Sequence, residues 1–207
     1  MAEEAAGQDP GTQAAGASGG AGVVDAAMAC FAARGWHATS RRDIAEAAGI
    51  GFAELHAAFP SRESILLAFM DGVDRAVLAT PPEAGASVRE ALFEVFMRRF
   101  DALQPHREAM KRLAREVPMD PVAACRLARR ATSSIAAMAE LAGVDVGGPL
   151  GALRARALAG LHAWVLRAWL ADDTQDMSRT MKALDQGLAR LETLARSLPG
   201  GRADGAA

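Results

Sequence analysis

The chain has 207 residues, a formal net charge of −2, an apolar fraction of 51% and a charged fraction of 23%. This composition allows a sizeable core and excludes overall disorder, and the abundance of Ala, Leu and Arg without any Tyr predicts an all-α protein. Arg, His or Asp interrupts the longest apolar stretches, which argues against a membrane span, and residues 1–20 lack the pattern of a signal peptide.

The two ends of the chain have a composition typical of disorder. Residues 1–20 are rich in Ala, Gly and acidic side chains, and residues 199–207 are rich in Gly and Ala, so we expect a disordered tail at each end. Between them, helical periodicity begins near residue 22 and predicts a first helix that ends at Gly35.

Residues 40–59 have the pattern of a short helix, a glycine turn and a second short helix. Ser40 and Asp43 have the spacing of a capping box, and Gly49 stands where a helix C-cap is expected. Leu55 gives the second helix a buried side. This layout is typical of a helix-turn-helix motif, whose second helix enters the DNA major groove, although an ordinary helical hairpin has the same pattern.

The flanking segments favour the helix-turn-helix. The motifs in chain order are F-x-x-x-G-W at 31–36, T-S-x-x-D-I-A-x-x-A-G-I at 39–50, L-H-x-x-F at 55–59 and P-S-R-E-x-I at 60–65. This succession resembles the N-terminal domain of the TetR family of bacterial regulators, over residues 21–79. The resemblance implies a nine-helix fold in which a three-helix DNA-binding domain precedes a ligand-binding and dimerisation domain at residues 87–198.

The resemblance also implies two groups of DNA contacts. Phosphates would bind at the starts of the second and fourth helices, where backbone N–H groups favour anions, and bases would be read by the third helix. The residues concerned are Thr39, Ser40, Arg41 and Arg62 for the phosphates, and Gly51, Phe52, Glu54 and His56 for the third helix.

The third helix departs from the family pattern. Gly51 caps weakly where the family usually has Ser or Thr, and His56 keeps a donor where the family has a phosphate-contacting Tyr. Glu54 either accepts a hydrogen bond from cytosine N4 or repels phosphate, and Phe52 suits a thymine methyl or a protein partner. Residues 21–79 also carry five basic and seven acidic side chains, so the strong basic patch of a typical DNA-binding domain is missing.

The remaining pattern predicts six further helices. Ser61 caps a fourth helix that ends near Leu78, and a Pro- and Gly-containing linker precedes a capping box at Ser87 and Glu90. The later helices are expected at residues 88–104, 105–116, 121–142, 150–171 and 177–197.

The last two helices have the features of a dimer interface. The eighth is apolar nearly all round, and the ninth carries apolar residues near a 4-3-4-3 spacing that continues to Leu198. We therefore expect a homodimer, with the alternative that the eighth helix is only a central core helix. The expected interface residues are Leu158, Val165, Met181, Leu184, Leu188 and Leu191.

Large, adaptable side chains concentrate in the fifth to eighth helices. They either fill the core or line a pocket, and the family resemblance favours a pocket for an apolar small molecule. His162 either lines this pocket or is a hydrogen-bonded core histidine. The candidate pocket residues are Phe93, Phe96, Met97, Phe100, Met110, Met138, His162, Trp164 and Trp169.

Signals of catalysis, metal binding or cofactor binding are not found in the sequence. The four His residues and the two cysteines, Cys30 and Cys125, do not have the spacing of metal ligands, and neither a phosphate-binding loop nor a nucleophile elbow occurs. We therefore expect no catalytic residues, no metal and no cofactor. We also expect reduced, buried cysteines and a cytoplasmic location.

The C-terminal half has a second resemblance. Residues 103–115 and 169–192, including W-L-x-D-D-T-x-D at 169–176, resemble the TetR-fold lipid-binding accessory proteins of ubiquinone biosynthesis. The sequence therefore predicts a dimeric TetR-type repressor that binds a palindromic operator and responds to an apolar ligand. The alternative is a lipid-binding accessory protein that has lost specific DNA binding.

Overall fold

The computed structural model describes residues 10–174 and 176–197, with side chains from residue 20 onward. This part of the chain forms nine α-helices and two 3-10 turns, and no strand lies within it. The all-α class and the nine helices predicted from the sequence are confirmed. The helices are α1 (Pro10–Arg34), α2 (Arg41–Ala47), α3 (Phe52–Ala58), α4 (Arg62–Leu78), α5 (Val88–Leu103), α6 (Arg107–Glu116), α7 (Pro121–Leu141), α8 (Gly148–Leu170) and α9 (Ser178–Ser197), and the 3-10 turns are Gln104–His106 and Val117–Met119.

α1 begins earlier than the sequence predicts. It starts at Pro10 rather than near residue 22, so residues 10–20 of the expected tail are helical. A Pro in the first turn sacrifices no helical hydrogen bond, and the Ala residues that follow have the highest helix propensity. Residues 1–9 and the expected tail at 199–207 lie outside the described residues.

The first three helices pack around a small set of large side chains. Phe31 of α1 and Trp36 of the following turn are fully buried, with ring centroids 5.4 Å apart. Ile44 of α2 and Leu55 of α3 are also fully buried and belong to the same apolar cluster. This core fixes α3 against α1 and α2 through one residue of its inner side, and the rest of α3 faces outward.

Local capping sets the helix starts. Ser40 Oγ accepts a hydrogen bond from the Asp43 N–H, and the Asp43 carboxylate accepts from the Ser40 N–H at 2.8 Å. The hydrogen bonds from Ser40, together with Arg34, lower the pKa of Asp43 to about 2. Gly49 joins α2 to α3 with a φ of 67°, which residues with a Cβ rarely adopt. The capping boxes predicted at Ser40 and Ser87 are therefore confirmed.

A buried polar network joins α4 to α5 and α7. Asp74 of α4 accepts hydrogen bonds from Arg99 of α5 at 2.5 Å, from Arg130 of α7 at 2.6 Å and from the hydroxyl of Ser134. Burial raises the pKa of Asp74, but the hydrogen bonds from Ser134 and Arg99 outweigh it and hold the pKa below its usual value. The helix that follows the helix-turn-helix is thus tied to the C-terminal helices by paired charges.

α8 is buried on one side rather than on several. Leu158, His162 and Val165 face the core, whereas Leu153 is 54% and Trp164 is 41% exposed. α9 lies very close to the buried side, because a Cβ added at Gly187 would lie 2.1 Å from the Leu161 Cδ1 atom. The sequence shows that α8 is apolar, but it does not show which of its two apolar sides a single chain covers.

The two cysteines differ in burial. Cys30 of α1 is buried, as predicted, and burial raises the pKa of its thiol. Cys125 lies on the outer side of α7 and is exposed, so the prediction of a buried thiol is wrong there. None of the described helices is long and apolar enough to cross a membrane.

Candidate nucleic-acid interface

α3 presents almost its whole surface to solvent. Its only buried residue is Leu55, while Phe52 is 45% exposed and Glu54 and His56 are exposed. Gly51 precedes the helix in an extended conformation and provides no side-chain cap, as its residue type predicts. The structure therefore brings Phe52, Glu54 and His56 onto one accessible helix, where they can contact a partner.

Arg41 of α2 contacts the exposed rings of α3. Its Nη1 atom donates to His56 Nδ1 at 2.8 Å and to the carbonyl oxygen of Pro60 at 2.7 Å. Its guanidinium lies 5.4 Å from the centre of the Phe52 ring, and the Phe52 and His56 rings are nearly parallel, 6.3 Å apart. Because Arg has no acceptor, His56 Nδ1 must be unprotonated, and the neutral ring carries its proton on Nε2.

Two of the predicted phosphate ligands face inward instead. Thr39 is 1% exposed, and its hydroxyl donates to the carbonyl of Gly35 at 2.7 Å. Arg62 donates from Nη1 to the carbonyls of Thr39, at 2.9 Å, and of Trp36, and its guanidinium lies 4.6 Å from the Trp36 ring centre. Thr39 and the Nη1 atom of Arg62 therefore stabilise the turn between α1 and α2.

The charge on the exposed surface is modest. α3 carries no Lys or Arg, and Glu54 forms no ion pair among the described side chains. Ser40 and Arg42 are exposed at the start of α2, which places one cation and a capped helix end beside the reading surface. Arg42 is thus the more accessible cation at this surface, although the sequence analysis singled out Arg62.

The last turn of α6 contacts the N-terminal domain. Glu116 Oε2 accepts a hydrogen bond from the His37 N–H at 3.1 Å. Gly35 has a φ of 86°, and a Cβ added there would lie 2.1 Å from Glu116 Oε1, so only Gly allows this approach. His37 and Glu116 are 79 positions apart in sequence, and no local pattern could have predicted their contact.

The predicted pocket residues separate into two groups. Phe96, Phe100, His162 and Trp169 come together in the interior, whereas Trp164 lies on the exposed side of α8. Met138 is fully buried, and Phe93, Met97 and Met110 are half-buried. The two best-formed concavities of the described residues are shallow. Neither involves a predicted pocket residue: the first is lined by Ala189, Arg190, Thr193 and Leu194, and the second by Glu83, Ala84, Gly85, Ala86, Glu90 and Glu94.

Most of the predicted dimer residues are buried within a single chain. The exposed fractions are 6% for Leu158, 0% for Val165 and Leu184, and 3% for Leu188, so these side chains are already covered. Met181 and Leu191 are half-buried beside them. These predicted interface side chains are therefore largely covered by helices of the same chain, whereas the opposite side of α8 stays exposed.

Comparison with known proteins identifies the N-terminal domain. Residues 23–69 match the family model described as bacterial regulatory proteins, tetR family. None of the curated proteins compared with the chain matches it. Among solved structures, a TetR transcriptional regulator from Nitrosomonas europaea has a TM-score of 0.68 and 18% identity, and the alignment covers 83% of this chain and 96% of that one.

Two further structures share the fold over a similar length. A putative TetR-family regulator from Rhodococcus sp. has a TM-score of 0.62 and 16% identity, with 84% of this chain and 98% of that chain covered. GusR of Salmonella enterica has a TM-score of 0.59 and 23% identity, with 84% and 95% covered. The chain therefore has the TetR-type fold predicted from the sequence, and within it residues 23–69 match the domain of bacterial regulatory proteins of the tetR family.

Proposed function

We propose that the protein is a homodimeric transcriptional repressor that binds a palindromic DNA operator and is released by a small ligand. The observation that carries this proposal is the capped helix-turn-helix whose second helix, α3, is buried only at Leu55. A helix presented in this way fits the DNA major groove, and a dimer would place two such helices about 34 Å, or one helical turn of DNA, apart.

The residues around α3 divide into phosphate and base contacts. Ser40 and Arg42 at the start of α2 would bind phosphate, helped by the free backbone N–H groups of the helix. On α3, Glu54 would accept from cytosine N4, Phe52 would contact a thymine methyl, and the Nε2–H of His56 would donate to an acceptor on DNA. Sequence discrimination would thus depend on few residues.

The exposed side of α8 supports a homodimer. Leu150, Leu153, Ala157, Gly160 and Trp164 are exposed at a 3-4-3-4 spacing, which is the spacing of a helix–helix seam. Leu194 of α9 is 60% exposed, and Arg190 of α9 lies 6.0 Å from the Trp164 ring centre, so α9 extends the same surface. We call these residues the α8–α9 face and propose that a second copy of the chain covers it.

Two contacts supply a route by which a ligand would control DNA binding. Glu116 at the end of α6 holds the turn before α2, and the Asp74–Arg99 pair holds α4 to α5. A ligand between the C-terminal helices that fits only one arrangement of α4 and α6 would shift the spacing of the two α3 helices in the dimer. The ligand would then change operator affinity by the ratio of its affinities for the two arrangements.

An unbiased selection of operator sequences tests the DNA-binding proposal. Purified protein should enrich a palindrome, and Glu54→Ala should relax the preference at one base pair of each half-site, because the cytosine N4 donor loses its acceptor. The loss expected at that pair is about 1–3 kcal/mol of discrimination, measured by competition between matched and mismatched operators. If no palindrome is enriched, the repressor function is wrong.

The contact between Arg41 and His56 gives a second test. A Gln at position 56 can place an N–H donor near the position of His Nε2, whereas Asn places its amide near Nδ1. We therefore expect His56→Gln to keep operator affinity within a few-fold, and His56→Asn and Arg41→Ala each to lose about 1–2 kcal/mol. Fluorescence anisotropy with the selected operator measures this, and circular dichroism shows whether each variant is folded. Equal affinities of the Gln and Asn variants would exclude Nε2 as the donor.

A lipid-binding accessory protein is the second candidate function. The observation that favours it is the lack of cations on α3, together with the exposed Glu54 and the 45% exposed ring of Phe52. Such a protein would bind DNA only weakly and without sequence preference, near 10⁻⁴–10⁻⁶ M at physiological salt as an order of magnitude. Lipid extraction of the purified protein, followed by mass spectrometry, would then find a bound isoprenoid or phospholipid.

A further inference from the structure

Four aromatic side chains form a connected group in the C-terminal core. The His162 ring of α8 is nearly parallel to Phe100 of α5 at 5.2 Å and meets Phe96 edge-on at 5.8 Å, and Phe100 lies 5.9 Å from Trp169. We call Phe96, Phe100, His162 and Trp169 the aromatic cluster. All four are at least 93% buried, so these rings fill the space between α5 and α8.

Unpaired polar atoms border this cluster. His162 Nε2, Arg99 Nε and Arg107 Nε are buried and have no hydrogen-bond partner among the described residues; the fourth such nitrogen, Trp36 Nε1, belongs to the N-terminal domain. Arg99 precedes Phe100 on α5, and the Arg107 guanidinium lies 5.7 Å from the Trp169 ring centre. A buried polar atom without a partner is unfavourable, so three such nitrogens beside one apolar group indicate a ligand that the folded chain is built to receive.

Arg99 is the positive charge that acts most strongly on His162. Arg99 and Arg130 both donate to the buried Asp74 carboxylate, whereas Asp71, the second acidic partner of Arg130, has a side chain that is 51% exposed. The buried charged side chains are thus Arg99, Asp74 and Asp172, and the feature that favours an anion is the unpaired Nε–H of Arg99 rather than the net charge. Burial, followed by the nearby Arg99, lowers the pKa of His162 to about 3, which agrees with a site that disfavours a further cation.

From these contacts we propose that the aromatic cluster binds an organic acid with a flat apolar body, whose carboxylate accepts hydrogen bonds from His162 Nε2 and Arg99 Nε. The proposal rests on the proposed ligand control of DNA binding and adds the chemistry of the ligand. The rings are in contact with each other, so binding requires them to separate. Met138, whose sulfur lies 3.9 Å from Arg99 Nη1, is a flexible side chain that can repack when they do.

Two probes of equal shape test the site. 1-Naphthoate carries a carboxylate, and 1-methylnaphthalene has the same body without one. We expect the full-length protein to bind 1-naphthoate at least tenfold more tightly in a fluorescence titration at pH 7. In protein labelled with ¹⁵N-histidine, 1-naphthoate should shift the Nε2 signal of His162.

Three variants assign the carboxylate contact. His162→Phe keeps the stacked ring but removes the donor, and Arg99→Lys keeps the charge beside Asp74 but removes Nε. Both should abolish the preference for 1-naphthoate. His106→Phe is the matched control, because His106 packs edge-on against Phe69 at 5.0 Å, outside the cluster, and it should keep the preference.

Each other outcome overturns the proposal. Equal binding of the two probes, or a preference that survives in His162→Phe, would show that the site does not recognise a carboxylate, while still allowing a purely apolar ligand. Binding of neither probe would show that buried water satisfies the free nitrogens. A gel shift with the selected operator separates this result from the proposed function, because binding of 1-naphthoate without any change in DNA affinity would support the site and exclude ligand control by it.

Discussion

Replacing Trp164 by Glu should separate the proposed dimer into folded monomers, whereas replacing Leu184 by Glu should unfold the chain. Trp164 is 41% exposed in a single chain, and a surface substitution of this kind usually changes folding stability by about 0.5 kcal/mol or less. At the centre of a dimer interface, loss of a Trp typically costs about 2–4 kcal/mol, which weakens dimerisation roughly 30- to 1,000-fold. Sedimentation velocity at micromolar concentration should therefore show monomers with unchanged circular dichroism.

Leu184→Glu should unfold the chain because the Leu184 side chain is fully buried within a single chain. An unpaired charge in that position costs about 3–5 kcal/mol, a large part of the 5–15 kcal/mol typical of a domain. Val122→Glu on α7 is the matched control, since Val122 is 63% exposed and lies outside the α8–α9 face. It should stay dimeric and folded. A Trp164→Glu protein that remains a dimer would place the interface elsewhere.

The N-terminal domain was predictable because its determinants are local. Capping at Ser40 requires Asp43 three residues later, and the turn at Gly49 requires a residue that tolerates a positive φ, so a short stretch of sequence contains the whole signal. The direction of Leu55 follows from helical periodicity in the same way. The orientation of the exposed side chains of α3 was not predictable in this way, because it depends on the contact of His56 with Arg41, which lies 15 residues earlier in the chain.

The C-terminal sites were less predictable because they depend on which side of each helix is covered. Periodicity shows that Trp164 and Val165 are both apolar, but only tertiary packing places Val165 in the core and Trp164 at the surface. For the same reason, periodicity predicts Leu184 in a dimer interface, although its side chain is fully buried within one chain. For His162, the sequence left open a pocket or a hydrogen-bonded core position, and the lack of a partner for Nε2 among the described residues argues against the second.

The buried His162 should also make stability depend on pH, beginning at a higher pH than the titration of the carboxylates. Its pKa is lowered from 6.5 to about 3, so below pH 6.5 the unfolded chain binds a proton that the folded chain does not bind. The free energy of unfolding should therefore fall as the pH falls from 6.5 toward about 3, by up to about 1.4 kcal/mol per pH unit. The lowered pKa values of Asp43 and Asp172, both about 2, also reduce stability as the pH falls, but only below about pH 4 to 5, where these carboxylates begin to bind protons in the unfolded chain.

The His162→Phe variant isolates this contribution. The other three His residues are the same in both proteins, so the difference in unfolding free energy between wild type and variant reports position 162 alone. Urea unfolding at pH 7.0, 5.5 and 4.5, at one protein concentration, should show a difference that grows by about 1.4 kcal/mol between pH 5.5 and 4.5. The variant should also be about 1 kcal/mol more stable at pH 7.0, since it removes an unpaired buried nitrogen while keeping a ring against Phe100. A difference that stays constant with pH would mean that His162 binds a proton as readily in the folded chain as in the unfolded one. An acidic side chain that stabilises the protonated ring would then have to lie within reach of α8.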